Sequence, residues 1–342
     1  MPMNEPVVSV IIPVYNTQAW LSECLDSVLN QNYESLEIIC ANDGSTDNSL
    51  KILEEYKKRD DRIIIITHEN KGPGYTRNQA FKAAKGKYLL LLDSDDFLEY
   101  NFINELVARA ETDVLDMLCF NYTVHYETNS IKSNHKQIQP HKFDYPGLFN
   151  GRELFSLFQK NDDYLSASWI AMLRRQWVQE NDLYFPENIF QEDELFLFRC
   201  FLAAERAGYI HTKGYHYRLR ENSTMTKGKS LIHVLGYYVC ASYMTEICFQ
   251  NQKKLEDYPE FFNYVLHLKH SAVYFYQHNE ESIRAQAKTG FDFMMLDDLE
   301  NYGFRPELEA VYNSASWRIG QKIVTPLHNI KETINQLKNK SK

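Results

Sequence analysis

The chain predicts an α/β fold, a mostly parallel sheet with helices on both faces. Two observations carry this. The first 125 residues or so read as strand-then-helix repeated four times, which implies crossover connections and parallel strands. Three polar or acidic clusters, Pro13 to Asn16, Asn42 to Asp47 and Asp93 to Asp96, then fall at three strand ends. In such sheets ligands bind beyond the carboxyl ends of the strands.

The run Val7 to Ile12 is β-branched and ended by Pro13, which reads as a buried first strand. Asn16 or Thr17 caps a helix whose apolar positions Trp20, Leu21, Cys24, Leu25, Val28 and Leu29 follow the 3.6 period. Leu36 to Ala41 is a second strand, and Asp47 caps the helix carrying Leu50, Leu53 and Tyr56. Ile63 to Thr67 is a third strand, followed by a loop with Gly72, Pro73 and Gly74 and a helix through Phe81 to Gly86. Tyr88 to Leu92 is apolar throughout, as a strand buried on both faces should be. A helix over Phe102 to Ala110 and a strand over Val114 to Asn121 complete the series. Beyond it, 123–140 reads as a polar loop. Helices are expected around Arg152 to Phe158, around Ala167 to Arg175 and from Gln191, with two short strands around Gly214. From about Lys229 the pattern is helical and rich in Tyr and Phe, so a domain over 1–225 and a helical region over 226–342 are expected.

The strand at Tyr88 ends in three carboxylates within four residues, Asp93, Asp95 and Asp96. Like charges this close repel, and no Lys or Arg lies near in sequence. A divalent cation would offset them, since Asp oxygens are hard ligands suited to Mg²⁺ or Mn²⁺. A solvated acidic turn capping the next helix gives the same pattern.

Composition excludes several classes. Hydrophobic content of 44% and charged content of 24% are ordinary for a soluble protein. A net charge of −9 argues against nucleic acid as a partner. The six cysteines form no Cys-x-x-Cys pair and several sit in apolar runs, which fits reduced thiols in a cytoplasm. No secretory signal is seen, and no run approaches the ~18 apolar residues of a membrane span. His267 and His270 read as a solvated helix face. The tail from Trp317 carries Arg318, Lys322, Lys331, Lys338, Lys340 and Lys342 against Glu332, a solvated helix or a weak contact with an anionic membrane. The aromatic helical end leaves an oligomer open.

Taken together, Ser9 to Asn16, Asn42 to Asp47, Asn70-Lys71-Gly72, Arg77-Asn78 and Asp93 to Asp96 resemble the family 2 glycosyltransferases in order and separation. The likeness is strong over about 125 residues and extends through Glu192-Asp193 and Tyr217-Arg218. It implies a GT-A fold, a UDP-sugar donor, Mn²⁺ or Mg²⁺ and inversion at the anomeric carbon. Pro13 and Tyr15 would lie along uracil and ribose, with Asn16 beside them. Asp43 would accept a hydrogen bond from the base, and Arg77 would face base or phosphate. Asp93, Ser94 and Asp95 would hold ribose and metal, with Asp95 and Asp96 as the metal ligands. Asn42 departs from the family, where another Asp is frequent.

The chemistry needs charge on the departing diphosphate and a base opposite it for the attacking hydroxyl. Asp193, at a helix start, matches the family's Glu-Asp motif and suits the base; a helix cap would look the same. Glu192 would be a donor contact and Glu194 a solvated acid. Tyr217 and Arg218 would close over the pyrophosphate, although a strand residue and a surface charge fit equally. Trp169 and Trp177 could stack on an acceptor sugar, and a core position is the commoner fate of Trp. The function expected is transfer from a UDP-sugar to a glycan or glycolipid acceptor in bacterial lipooligosaccharide, capsule or exopolysaccharide synthesis. A non-catalytic nucleotide-sugar-binding module is the alternative. A sugar nucleotidyltransferase ranks lower, since Pro13 to Asn16 lacks the glycine a triphosphate loop needs.

Overall fold

The computed structural model describes residues 6–134, 139–221 and 231–278. Its first stretch alternates β1 (Val8–Val14), α1 (Leu21–Leu29), β2 (Leu36–Asp43), α2 (Ser49–Lys57), β3 (Ile63–His68), α3 (Pro73–Ala83) and β4 (Tyr88–Leu91). Then come β5 (Phe97–Leu98), α4 (Phe102–Asp113), β6 (Met117–Tyr126), α5 (Asn129–Asn134), β7 (Leu148–Phe149) and α6 (Gly151–Lys160). The series continues with β8 (Ala171–Arg174), α7 (Arg175–Glu180), α8 (Glu192–Ala203), β9 (Ala207–Leu219), α9 (Leu231–Gln250) and α10 (Glu260–Gln277).

The strands form one sheet in the order β3-β2-β1-β4-β8-β6-β9-β5, with β7 also on β9. β1, β2, β3 and β4 are mutually parallel, and β6 pairs β9 in parallel. β8 enters antiparallel between β4 and β6, which keeps β4 and β6 pointing the same way. The expected mixed α/β architecture, mostly parallel, is what the chain adopts. Its core is the sheet itself: Val10, Ile11, Ile38, Ile39, Leu89, Leu90 and Leu91 have no exposed surface.

Several local expectations change. β1 runs past Pro13 to Val14, which is tolerated because its pairing with β4 stops at Ile11. Neither Asn16 nor Thr17 caps α1 with its side chain; the Thr17 carbonyl instead accepts from the Trp20 and Leu21 amides. Ala171 to Arg174, expected as helix, is a strand. These residues favour helix intrinsically, but the ladders of β4 and β6 both need a partner at that place, and tertiary pairing prevails. β6 extends to Tyr126, into the expected loop, because β9 from Tyr215 to Leu219 pairs with it. The two strands expected around Gly214 are one, with an irregularity: β9 runs from Ile210 to Tyr215 while β6 runs only from Phe120 to Tyr122. A Cβ at Gly214 would lie 2.1 Å from Phe102, so only glycine lets α4 pack here. The helix at Arg152 to Phe158 is α6, opened by a capping box between Asn150 and Glu153.

The chain divides into two compact units. One comprises Met1–Glu187 and Phe196–Lys227, the other Asn188–Leu195 and Gly228–Lys342. In the second, α9 and α10 bury Val234, Tyr238, Ala272 and Tyr276. No described helix is long and apolar enough to cross a membrane. The basic tail from Trp317 lies outside the described residues. All six cysteines are free and buried.

Candidate active site

The loops after β1 and β2 are sewn together at the carboxyl edge of the sheet. Asn16 adopts a left-handed backbone, φ 53°, and its Oδ1 accepts from the Thr46 amide at 2.8 Å. Its own amide donates to Ser45 Oγ at 3.2 Å, and Asp47 accepts from the Gln18 amide at 3.0 Å. Asn16 is thus the stitch that fixes the loop on which Tyr15 stands, half exposed at 49%. An aromatic ring this open at a strand end is a ready stacking face. Asn42, buried, accepts from the Ser45 amide at 3.2 Å.

Asp43, the last residue of β2, holds the entrance to α3. Its two oxygens accept from the Lys71 amide at 2.7 Å and the Gly72 amide at 3.0 Å, with His68 Nδ1 at 3.4 Å. This orders the Asn70-Lys71-Gly72 loop. The next turn of α3 then delivers Arg77 to the acidic tip, where Nη2 meets Asp93 Oδ1 at 3.2 Å while the guanidinium lies over Phe185.

The tip is less naked than the sequence suggests. Cations remote in the chain serve it: Arg77 on Asp93, and Arg220, whose Nε donates to Asp95 Oδ2 at 2.7 Å while its plane covers Trp20 at 4.3 Å. Arg218 donates from Nε to the Asp95 carbonyl at 2.8 Å and from its backbone to Asp96 Oδ1 at 2.7 Å. The Arg218 guanidinium also bonds Glu23 at 2.6 Å. Ser94 is buried and accepts from Thr17 Oγ1 at 3.0 Å.

The three acids divide by exposure. Asp96 is 1% exposed, with Tyr215 Oη donating to Oδ2 at 2.6 Å and Arg218 to Oδ1. Burial, then the charges of Asp95 and Asp93, push its carboxyl well above the usual range; those two hydrogen bonds oppose the shift. Enclosed in this way, Asp96 braces the turn through its bonds to Tyr215 and Arg218. The side chains of Asp93 and Asp95 are 30% and 20% exposed. Among the described residues no three His, Cys, Asp or Glu side chains form a ready metal cage. Asp95, with Asp93 beside it, offers hard oxygens that fit Mg²⁺ or Mn²⁺ completed by ligand oxygens and water.

Tyr217 packs against Trp169 and Tyr122, with ring centroids 5.3 and 6.4 Å away. Burial, then the acids Asp96, Asp93 and Asp95, raise its phenol. Trp169 lies flat on Tyr215, and both Trp169 and Trp177 are buried. They belong to the core, not to a sugar platform.

Glu192, Asp193 and Glu194 belong to the second unit and open α8 after the left-handed Gln191, φ 68°. Glu194 is buried, not solvated: it accepts from the Tyr264 hydroxyl of α10. Glu192 is also buried, and Asp193 is half-buried. Cys240 Sγ lies 3.3 Å from the Gln191 carbonyl, and its thiol is pushed up by burial and then by Glu194, Glu192 and Asp193.

Sequence reasoning missed Tyr215 and Arg220. The signal was the alternation Tyr215-x-Tyr217 and Arg218-x-Arg220, which puts two tyrosines on one strand face and two arginines on the other.

The model of the family described as Glycosyl transferase family 2 matches residues 9–198. EpsH of Bacillus subtilis, assigned by name as a glycosyltransferase, is 33% identical over 265 residues, 75% of this chain and 73% of the relative. The poly(ribitol-phosphate) beta-N-acetylglucosaminyltransferase TarS of Staphylococcus aureus is 29% identical over 213 residues, 61% of this chain and 35% of its own. The structure of TarS 1–349 in complex with UDP superposes with a TM-score of 0.63 at 20% identity, covering 97% of this chain and 91% of that one.

Proposed function

Given that the chain belongs to glycosyl transferase family 2 and is a glycosyltransferase, we propose that it moves a sugar, with inversion, from a UDP-sugar to a hydroxyl of a bacterial surface glycan or glycolipid. The observation that carries this is the acidic tip of β4, with Asp96 enclosed and Asp93 and Asp95 half-open beneath the loop that bears Tyr15. Such an arrangement suits a ligand whose base stacks at β1 and whose diphosphate meets the tip through a cation.

In this reading Tyr15 and Pro13 face the base, and Asp43 acts through the loop it orders. Arg77 keeps Asp93 aimed. Asp95 is the ligand of a Mg²⁺ or Mn²⁺ ion, which would neutralise charge on the departing diphosphate. Asp193 takes the proton of the acceptor hydroxyl as its oxygen bonds to the anomeric carbon. The bond from that carbon to the diphosphate breaks, and UDP leaves with the electron pair. Glu192 serves the donor side, and Arg218 steadies the tip from β9. The relatives' names, one of them an N-acetylglucosaminyltransferase acting on poly(ribitol-phosphate), support a polymeric surface acceptor. Six unpaired cysteines suit a reducing cytoplasm.

The test is incubation with labelled UDP-sugars, Mn²⁺ and glycan acceptors, with and without EDTA. Transfer or slow hydrolysis of one donor, lost on chelation, is expected. No turnover with any UDP-sugar and no binding of UDP would overturn the reading.

A further inference from the structure

If the tip of β4 is where the donor's diphosphate lands, something must hold its like charges in one geometry before the donor arrives. Tyr215 stands beneath it. The residue is fully buried, and its ring lies parallel to Trp169, with centroids 4.2 Å apart at 7°. Its hydroxyl donates to Asp96 Oδ2 at 2.6 Å and accepts from the Asp93 amide at 3.2 Å. One oxygen therefore fastens both ends of the turn, which the Asp96 amide closes by donating to the Asp93 carbonyl at 2.9 Å. Trp169 fixes the ring, so the hydroxyl cannot follow a tip that drifts.

We infer that Tyr215 is a positioning residue of the donor site: without touching the nucleotide, its hydroxyl sets the spacing of Asp93 and Asp96 and thereby the aim of Asp95 between them. The inference rests on reading this tip as the donor site. Without the hydroxyl, Asp96 loses a donor and the Asp93 amide an acceptor. Ordering the turn then falls to the ligand and weakens its binding.

The experiment compares full-length wild type, Tyr215→Phe and Tyr145→Phe. The last removes a similar buried bond, Tyr145 Oη to Asp163 at 2.9 Å, elsewhere in the same unit. UDP binding with Mn²⁺ is measured by calorimetry, alongside exchange of the Asp93 amide and the donor and acceptor KM. In Tyr215→Phe, the Kd for UDP and the donor KM should rise about tenfold, roughly the effect of losing one well-placed hydrogen bond. The Asp93 amide should exchange faster, with the acceptor KM unchanged. Tyr145→Phe should lower Tm and leave the Kd within twofold. Should Tyr215→Phe fail to fold, Trp169→Phe, which keeps the hydroxyl but loosens the ring, should raise the Kd about threefold. A Kd unchanged in the variant that folds, or an equal loss in Tyr145→Phe, overturns the inference alone. A wild type that binds no nucleotide overturns the donor-site reading and the inference with it.

Discussion

Asp96 and Asp163 are both buried carboxylates in the first unit, and they are held alike. Asp163 accepts from Tyr145 Oη at 2.9 Å, from the Lys142 amide at 2.9 Å and from the Phe143 amide at 3.3 Å. Asp96 accepts from Tyr215 Oη and the Arg218 amide. Their surroundings differ. Near Asp163 stands the neutral ring of His141, itself packed among Tyr122, Phe158 and Tyr209. Around Asp96 stand two more acids within three residues. Hydrogen bonding satisfies both groups, so satisfaction does not mark a site. Crowding of like charge beside an opening is what sets the tip apart from the Asp163 region, and it is a cost that a bound cation would offset.

The comparison predicts that acids meeting substrate lose turnover when neutralised, whereas acids fastening a loop lose stability. The largest effect is expected at Asp193. Asp193→Asn should lower kcat about 10²–10⁴-fold, the span of general-base catalysis, with UDP affinity retained; kcat within threefold of wild type would remove Asp193 from the mechanism. Next comes the pair Asp95→Asn and Asp163→Asn. The first should cost roughly 10²-fold in turnover with little change in Tm, since relief of like-charge repulsion offsets the lost ion pair with Arg220. The second should cost about 1–3 kcal/mol of stability with kcat of the folded enzyme unchanged. Equal kinetic losses would dissolve the distinction.

The Asp163 region also sets a pH limit. Burial lowers His141 to about 4, against the pull of Asp163. Its folded pKa lies below its unfolded value of about 6.5, so the unfolded chain binds the extra proton. Stability from this group is complete above about pH 6.5 and is lost as pH falls to about 4, a change of order 3 kcal/mol. Denaturant melts across that window should show it, and His141→Asn should flatten the slope. The smallest effect belongs to Tyr15. Replacing it by Ala should raise the donor KM several-fold, about 1 kcal/mol of stacking, and leave Tm in place because the ring is half exposed.

The β-α series, its parallel sense and the clusters at its strand ends could be read from periodicity, because buried parallel strands are apolar throughout. β8 could not, since Ala-Met-Leu-Arg carries a helical preference that only its two neighbours override. At the site, residues local to one strand end were legible: Asp43, Arg77 and Asp93 to Asp96. The hydroxyl of Tyr215 and the cation of Arg220 were not. They arrive from β9 and the residue just past it, and nothing in the acidic segment encodes a partner so far downstream. For the same reason the burial of Asp96 against Tyr215 and Arg218 could not be read from the acidic segment. Glu194 looked solvated because its partner, Tyr264, comes from a helix seventy residues later.

That separation along the chain has a consequence during synthesis. Tyr215, Arg218 and Arg220 lie 119, 122 and 125 residues beyond the acids they serve. At roughly 5–20 residues per second on the ribosome, the acids wait about 6–25 s for them. Until Ala171 to Arg174 emerge, β4 is the unpaired edge of a four-stranded half-sheet, and its acidic terminus has only Arg77 and Thr17 to hold it. The charge that suits this strand end to a metal and a diphosphate is then also what guards a nascent edge against sticking to its neighbours, since edge strands are protected by charge.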